Sequence, residues 1–147
     1  MPWLLDARTS QNASFQQSIS SSTSSTPTLF GQVGLECLNP GGLIRVQFTA
    51  TATISFPGNA TDLTILIQVV RGTLITDPLV YSANLTIPAT APVEGSLIFP
   101  YTVTGSDYNV PAPPTSQLIY SAFISSNSTL PLRVGPESFN AAAYSDF

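Results

Sequence analysis

The chain contains no lysine and no histidine, and Arg8, Arg45, Arg71 and Arg133 are its only basic side chains. Without an imidazole, a serine-nucleophile triad lacks its base, and without lysine the Ser–Lys substitute fails as well. The single Cys37 makes neither a zinc site nor an intramolecular disulfide. Free cysteine tends to be a small buried apolar residue, although an odd count also allows a bridge between molecules. Charged residues make up only 8% of the chain, against the usual quarter. The net charge of −4 and the scattered arginines exclude the clustered cationic footprint that nucleic acid requires. No apolar run approaches the ~20 residues of a membrane helix, so membrane insertion is not expected. The start, Met1-Pro2-Trp3-Leu4-Leu5-Asp6, has no basic region and does not read as a signal peptide. No glycine-rich phosphate loop opens a helix, so no cofactor is expected.

What is present is alternation. From Leu43 to Phe56, Ile44, Val46, Phe48, Ala50, Ala52, Ile54 and Phe56 interleave with Arg45, Gln47, Thr49, Thr51, Thr53 and Ser55. Only an extended strand sends alternate side chains to opposite faces. At ~3.3 Å per residue this strand would be roughly 43 Å long. Leu63–Arg71 alternates in the same way and, through Pro57-Gly58-Asn59, reads as its antiparallel hairpin partner. Leu66 and Val70 make the second face of that strand partly apolar, as expected of a strand covered on both sides.

The 147 residues suffice for one domain with a real core. Residues 1–28 read as an N-terminal arm with a Ser/Thr-rich linker, carrying Trp3, Leu4, Leu5 and Phe15. Residues 29–147 read as the folded domain. Thr28–Leu38 is a strand in which Gly31 and Gly34 mark a bulge or a close backbone approach. Further strands follow in Gly72–Ile87, at Ser96–Val103, where Pro100 points to an edge or a bulge, at Gln117–Ser125, and at Leu130–Val134 and Phe139–Ser145. Thr104–Pro114, rich in proline, reads as the longest loop. No segment has helical period. Strands punctuated by proline and glycine describe an all-β, antiparallel β-sandwich of jelly-roll type with an extended N-terminal arm.

Chemistry is scarce. The carboxylates Asp6, Glu36, Asp62, Asp77, Glu94, Asp107, Glu137 and Asp146 mostly neighbour turn residues, where solvated or turn-capping roles are the default. A glycosidase would need two of them facing across a cleft. Asn59, Asp62 and Asp107 do not match a calcium loop, so no metal site is expected. The hydroxyl ladder Thr49, Thr51, Thr53 suits a solvated strand face, a periodic ligand surface such as polysaccharide, or a subunit contact. Sequons stand at Asn12, Asn59, Asn84 and Asn127, relevant only in a glycosylating host. Ile119 and Phe123, with Leu66 and Val70, put apolar side chains on nominally polar faces, which suggests burial against another subunit.

The runs Gly42-Leu43-Ile44-Arg45-Val46, Thr49-Ala50-Thr51-Ala52-Thr53 and Leu63-Thr64-Ile65-Leu66-Ile67, with Arg133-Val134-Gly135-Pro136-Glu137-Ser138-Phe139-Asn140, resemble jelly-roll domains of the tumour-necrosis-factor/C1q type on bacterial spore surfaces. The resemblance implies a ten-strand jelly roll assembled as a trimer on a spore or cell surface, without catalysis. The chain departs from that pattern by lacking a collagen-like Gly-x-y region and by carrying its own Ser/Thr arm.

Together these features lead to the expectation of a non-enzymatic structural protein. It would be a self-assembling subunit of an extracellular or spore-surface layer, appendage or filament, its arm contacting a neighbour. The expected interface residues are Trp3, Leu4, Leu5, Phe15, Leu66, Val70, Ile119 and Phe123. The expected partners are copies of itself, as trimer or filament. The alternative is a carbohydrate-binding module, or a receptor-binding trimer on a cell, spore or phage surface. Tyr101, Tyr108 and Tyr120 would then offer stacking platforms for surface glycans.

Overall fold

The structure, a computed structural model, describes residues 3–57, 61–89 and 96–145. Alternation becomes strand throughout: β1 (Trp3–Ala13), β2 (Ser21–Ser22), β3 (Thr28–Glu36), β4 (Ile44–Pro57), β5 (Leu63–Arg71), β6 (Leu79–Ile87), β7 (Ser96–Val110), β8 (Gln117–Ser126) and β9 (Leu132–Ser145). No described residue is helical. One sheet has the order β1-β9-β4-β7, with the short β2 adding to β9, and the other has the order β3-β8-β5-β6. All neighbours are antiparallel. The chain crosses between the sheets at most of its connections, and its first long strand lies beside its last. This is the double Greek key of a jelly-roll sandwich.

The expected hairpin of Leu43–Phe56 with Leu63–Arg71 does not form. β4 pairs with β7 and β9, whereas β5 pairs with β6 and β8 in the other sheet. Alternation tells which face of a strand is buried, not which strand lies beside it. Either pairing satisfies the same pattern, and the crossover buries the apolar faces of both sheets against each other.

The core follows from β4. Its seven inward side chains, Ile44 to Phe56, are each at most 3% exposed. The two alanines make room for larger side chains beside them in register: Phe139 next to Ala50, and Tyr101 and Glu137 next to Ala52. Phe48 anchors an aromatic cluster, its ring centroid 5.6 Å from Tyr81, 6.2 Å from Phe139 and 6.5 Å from Tyr120. Gly31 on β3 is needed because a Cβ there would collide with Phe139; here the close backbone approach read from the sequence is real. Cys37 is 1% exposed, and burial pushes its thiol pKa up, the condition of an inert core cysteine.

Three local expectations change. β7 runs on to Val110, so the proline-rich loop shrinks to residues 111–116. The extra length is held by Asp107, an inward carboxylate within the strand. β9 is continuous through Gly135-Pro136 rather than split there, with a register shift against β4 between Ala52 and Ile54. The extra residues on β9 at that shift leave Thr53 on the outer face of β4, where it is only 3% exposed and donates to the Pro136 carbonyl at 3.0 Å, so the exposed hydroxyl ladder ends at Thr51. Gly135 sits at φ +84°, where a Cβ would lie 2.8 Å from the Phe15 carbonyl oxygen.

Candidate assembly surfaces

The carboxylates expected to be solvated include two that are buried and ion-paired. Arg133 and Glu137 lie four residues apart on one face of β9, with side chains 6% and 0% exposed. Arg133 donates from Nε to Oε2 at 2.7 Å and from Nη2 to Oε1 at 2.6 Å. Asn12 on β1 adds a third bond to Oε1 at 2.8 Å. Nearer the other end, Arg71 grips Asp107 with Nε and Nη2 at 2.8 and 2.9 Å. The Tyr120 hydroxyl donates to the same carboxylate at 2.7 Å. Burial, and then that bond, raise the Tyr120 pKa far above its ordinary value. Each carboxylate is held by a bidentate guanidinium and a further donor, so each is satisfied in place. These clusters tie strands together: β1 to β9, and β7 to β5 and β8. The signal that could have found the first is the Arg-x-x-x-Glu spacing, which an extended strand puts on one face.

The residues expected at a subunit interface fall into two groups. Val70 is 0% exposed and Phe123 only 7%, so the chain itself covers both and they have almost no surface left for a neighbour. The segment after Arg71 folds back onto β8: Gly72 donates to the Ile119 carbonyl at 2.8 Å, and Ser121 Oγ donates to the Gly72 carbonyl at 2.7 Å. Leu66 and Ile119 are half-buried, and Leu5 packs partly against the core. Trp3, Leu4 and Phe15 are exposed, at 46%, 55% and 75%. Of the tyrosines proposed for stacking, Tyr120 is 0% exposed and Tyr108 is 67% exposed; Tyr101 is half-buried against the core. Tyr120 therefore offers no stacking face. Sequon Asn59 lies outside the described residues, and Asn12 is engaged with Glu137.

What the sequence reading missed is the apolar stretch on the β7 edge. Among the described strands β7 pairs with β4 alone, and Leu97, Ile98 and Phe99 in succession are 41%, 48% and 37% exposed. Its one charged residue, Asp107, is turned inward. Pro100 sits at this edge, where its missing N–H is tolerated. In register, Leu97 aligns with Phe56 and Trp3 with Ser145, which aligns with Ile44. The apolar stretches of β7 and β1 thus lie at opposite ends of the sheet, and on opposite edges.

On the outer face of the same sheet, two rows are polar and uncharged. Thr9, Asn140, Thr49 and Thr104 form one row across four strands, and Gln11, Ser138, Thr51 and Thr102 form the next. The Thr51 and Thr102 hydroxyls hydrogen-bond at 2.9 Å. An open groove of about 560 Å³ crosses this face, lined by Arg8, Thr9, Gln47, Thr49, Ser106 and Asn140 among others. Arg8 at its rim is already paired with Asp6 at 2.9 Å.

The molecule is, by its topology, a jelly-roll β-sandwich. Jelly rolls serve capsids, lectins and cupins alike, so the fold leaves function to the surfaces. No protein-family model matches the chain, and no curated protein does. Among solved structures, a chain of the T13 viral particle of IBDV overlaps 98% of this chain and 35% of its own length, at 9% identity and a TM-score of 0.39. This chain thus spans about a third of that one, and so loose a superposition decides nothing about function.

Proposed function

We propose that the chain is a non-enzymatic structural protein that assembles with copies of itself. It is a subunit of an extracellular or spore-surface layer, appendage or filament, and its N-terminal segment contacts a neighbouring subunit. The observation that carries this reading is the β7 edge. Monomeric β proteins blunt their edges with lysines, other charges or covering segments, and this chain has no lysine. Its longest edge strand instead shows three consecutive apolar residues and no outward charge. The exposed Trp3 and Leu4 at the opposite corner supply a second apolar contact, so two different patches are available for growth. The spore-surface setting and the trimer rest on the resemblance noted above.

The test is the oligomeric state, by mass photometry and electron microscopy, of the natural chain and of Ile98→Lys. The natural chain is expected to form trimers or larger particles and the variant, charged on a solvent-facing edge, mainly monomers. A natural chain that stays monomeric at every concentration tried would end this reading. The neutral groove favours a second one, a module for uncharged glycans. A glycan array without hits would remove it.

A further inference from the structure

We propose that β1 is the element exchanged between subunits: Trp3–Ala13 leaves its own β9, swings out about the turn at residues 14–18, and pairs with β9 of a second copy. The inference rests on the self-assembly reading and names the segment and the geometry by which neighbours are joined.

β1 is the strand least committed to its own chain. From Asp6 to Asn12 its residues are polar or small on both faces, and of its side chains only Ala13 is buried. Strands polar on both sides specify their register weakly and are the kind that pair alternatively or swap. The pairing already slips twice, between Leu4 and Asp6 and between Gln11 and Ala13. β1 is also an edge strand, so its departure breaks one ladder only.

Its remaining anchors are the partly buried Leu5 and polar groups, all of which any copy accommodates equally. Asp6 Oδ2 accepts the Glu36 amide N–H at 2.8 Å, Ser10 Oγ accepts the Gln32 N–H at 3.3 Å, and Asn12 donates to Glu137 at 2.8 Å. An incoming β1 from another copy rebuilds each of these bonds on β3 and β9. Departure of β1 leaves the β9 edge bare and Glu137 short of a donor, so an emptied copy has a specific need for a strand of this sequence.

The hinge is equally local. Ser18 N–H and Oγ both donate to the Phe15 carbonyl, at 3.3 and 2.6 Å, closing a tight turn. Gln17 within it sits at φ 55°, a left-handed conformation that side chains other than glycine and asparagine seldom adopt. Straightening the turn relieves that conformation. Beyond it the chain is fastened: Ile19 N–H donates to Val134 O at 3.4 Å, Thr23 N–H to Pro131 O at 3.0 Å, and Ser126 N–H to Ser24 O at 2.8 Å. Movement is therefore confined between Ala13 and Ile19, and the rest of the sandwich keeps its place. Short strained hinges of this kind favour exchange of a terminal element.

The experiment replaces Ala7 and Ala142, which face each other in register, by cysteine in a Cys37→Ala background, followed by mild oxidation. Directly opposed residues of an antiparallel pair fall within disulfide reach. Exchange predicts disulfide-linked dimers or ladders on a non-reducing denaturing gel. Purely intramolecular bridges in a protein that still assembles natively would overturn exchange while leaving self-assembly intact. Monomers both natively and on the gel would overturn both. Thr9→Cys with Asn140→Cys, the next pair on the same face, repeats the test if the first variant does not fold. Gln17→Gly, which relaxes the closed turn, is expected to lower the cross-linked share several-fold, and an unchanged share would remove the hinge assigned here.

Discussion

β1 and β4 pair with the same strand. They flank β9 on either side, each through an antiparallel ladder along most of its length, yet they are held on different terms. β4 sends seven side chains into the core at no more than 3% exposure, whereas β1 buries only Ala13. Full burial of a large apolar side chain is worth about 1.5–3 kcal/mol, so β4 is fixed by apolar burial on the order of 10 kcal/mol. β1 is fixed by backbone hydrogen bonds and three side-chain hydrogen bonds, each with a net worth of about 1 kcal/mol, and by the partly buried Leu5. A ladder places a strand; side-chain burial commits it. That difference makes β4 the spine of the sandwich and β1 the part able to answer to another copy.

The sharpest way to break the comparison is in β4. Phe48→Ala removes the ring at the centre of the aromatic cluster and should cost about 3–5 kcal/mol, read from the urea midpoint. A loss below about 1 kcal/mol would mean the core does not depend on β4 as described. Next is Arg133→Met, which leaves Glu137 buried without its partner and should cost roughly 3 kcal/mol. Adding Glu137→Leu should restore much of that loss, and a double variant no better than the single would show that the ion pair is not the cause.

On the β1 side the effects are smaller. Asn12→Ala should cost about 1 kcal/mol and raise amide-hydrogen exchange along Trp3–Ala13 while leaving β4 protected. Uniform loosening of both strands would erase the distinction between them. The smallest effect concerns Asp6. The Glu36 amide N–H holds its carboxyl below the ordinary carboxylate range, opposed by burial and helped by Arg8. A folded-state value below the unfolded one, about 3.9, stabilises the fold above that pH and loses its effect as pH falls through the folded value. The stability gap between the natural chain and Asp6→Asn should therefore be full near neutrality and shrink on acidification below about pH 4. A gap that widens in acid would contradict the assigned contacts.

Several elements were legible from residues alone. The alternation of Leu43–Phe56 predicts the buried face of β4 residue by residue, Pro100 predicts an edge or a bulge, and Gly31 a bulge or a close approach. Other features were not. Asp107 looks like a loop carboxylate until β7 runs on through it and brings it together with Tyr120 and Arg71. Val70 and Phe123 were expected to be covered by another subunit, and only the tertiary structure reveals that the chain itself buries both. Thr53 belongs to the outer ladder, and only the register shift of β9 against β4 shows that it is buried there on the Pro136 carbonyl. The exposure of Leu97–Phe99 on the β7 edge was not legible, because it depends on which of the described strands lie beside β7.

The sequence by itself determined that this is an all-β sandwich and which face of β4 is greasy. Those are properties of period two and of side-chain polarity, and they act within a few residues. Tertiary structure alone decided that β4 lies between β9 and β7 rather than beside β5. It decided too that two carboxylates are buried with arginines, and that the residues 1–28 segment, where described, lies as β1 and β2 on the same sheet. Pairing partners and burial depend on contacts between residues far apart in the chain, and many pairings satisfy one local pattern equally well. The physical choice among them falls to the packing of the whole core.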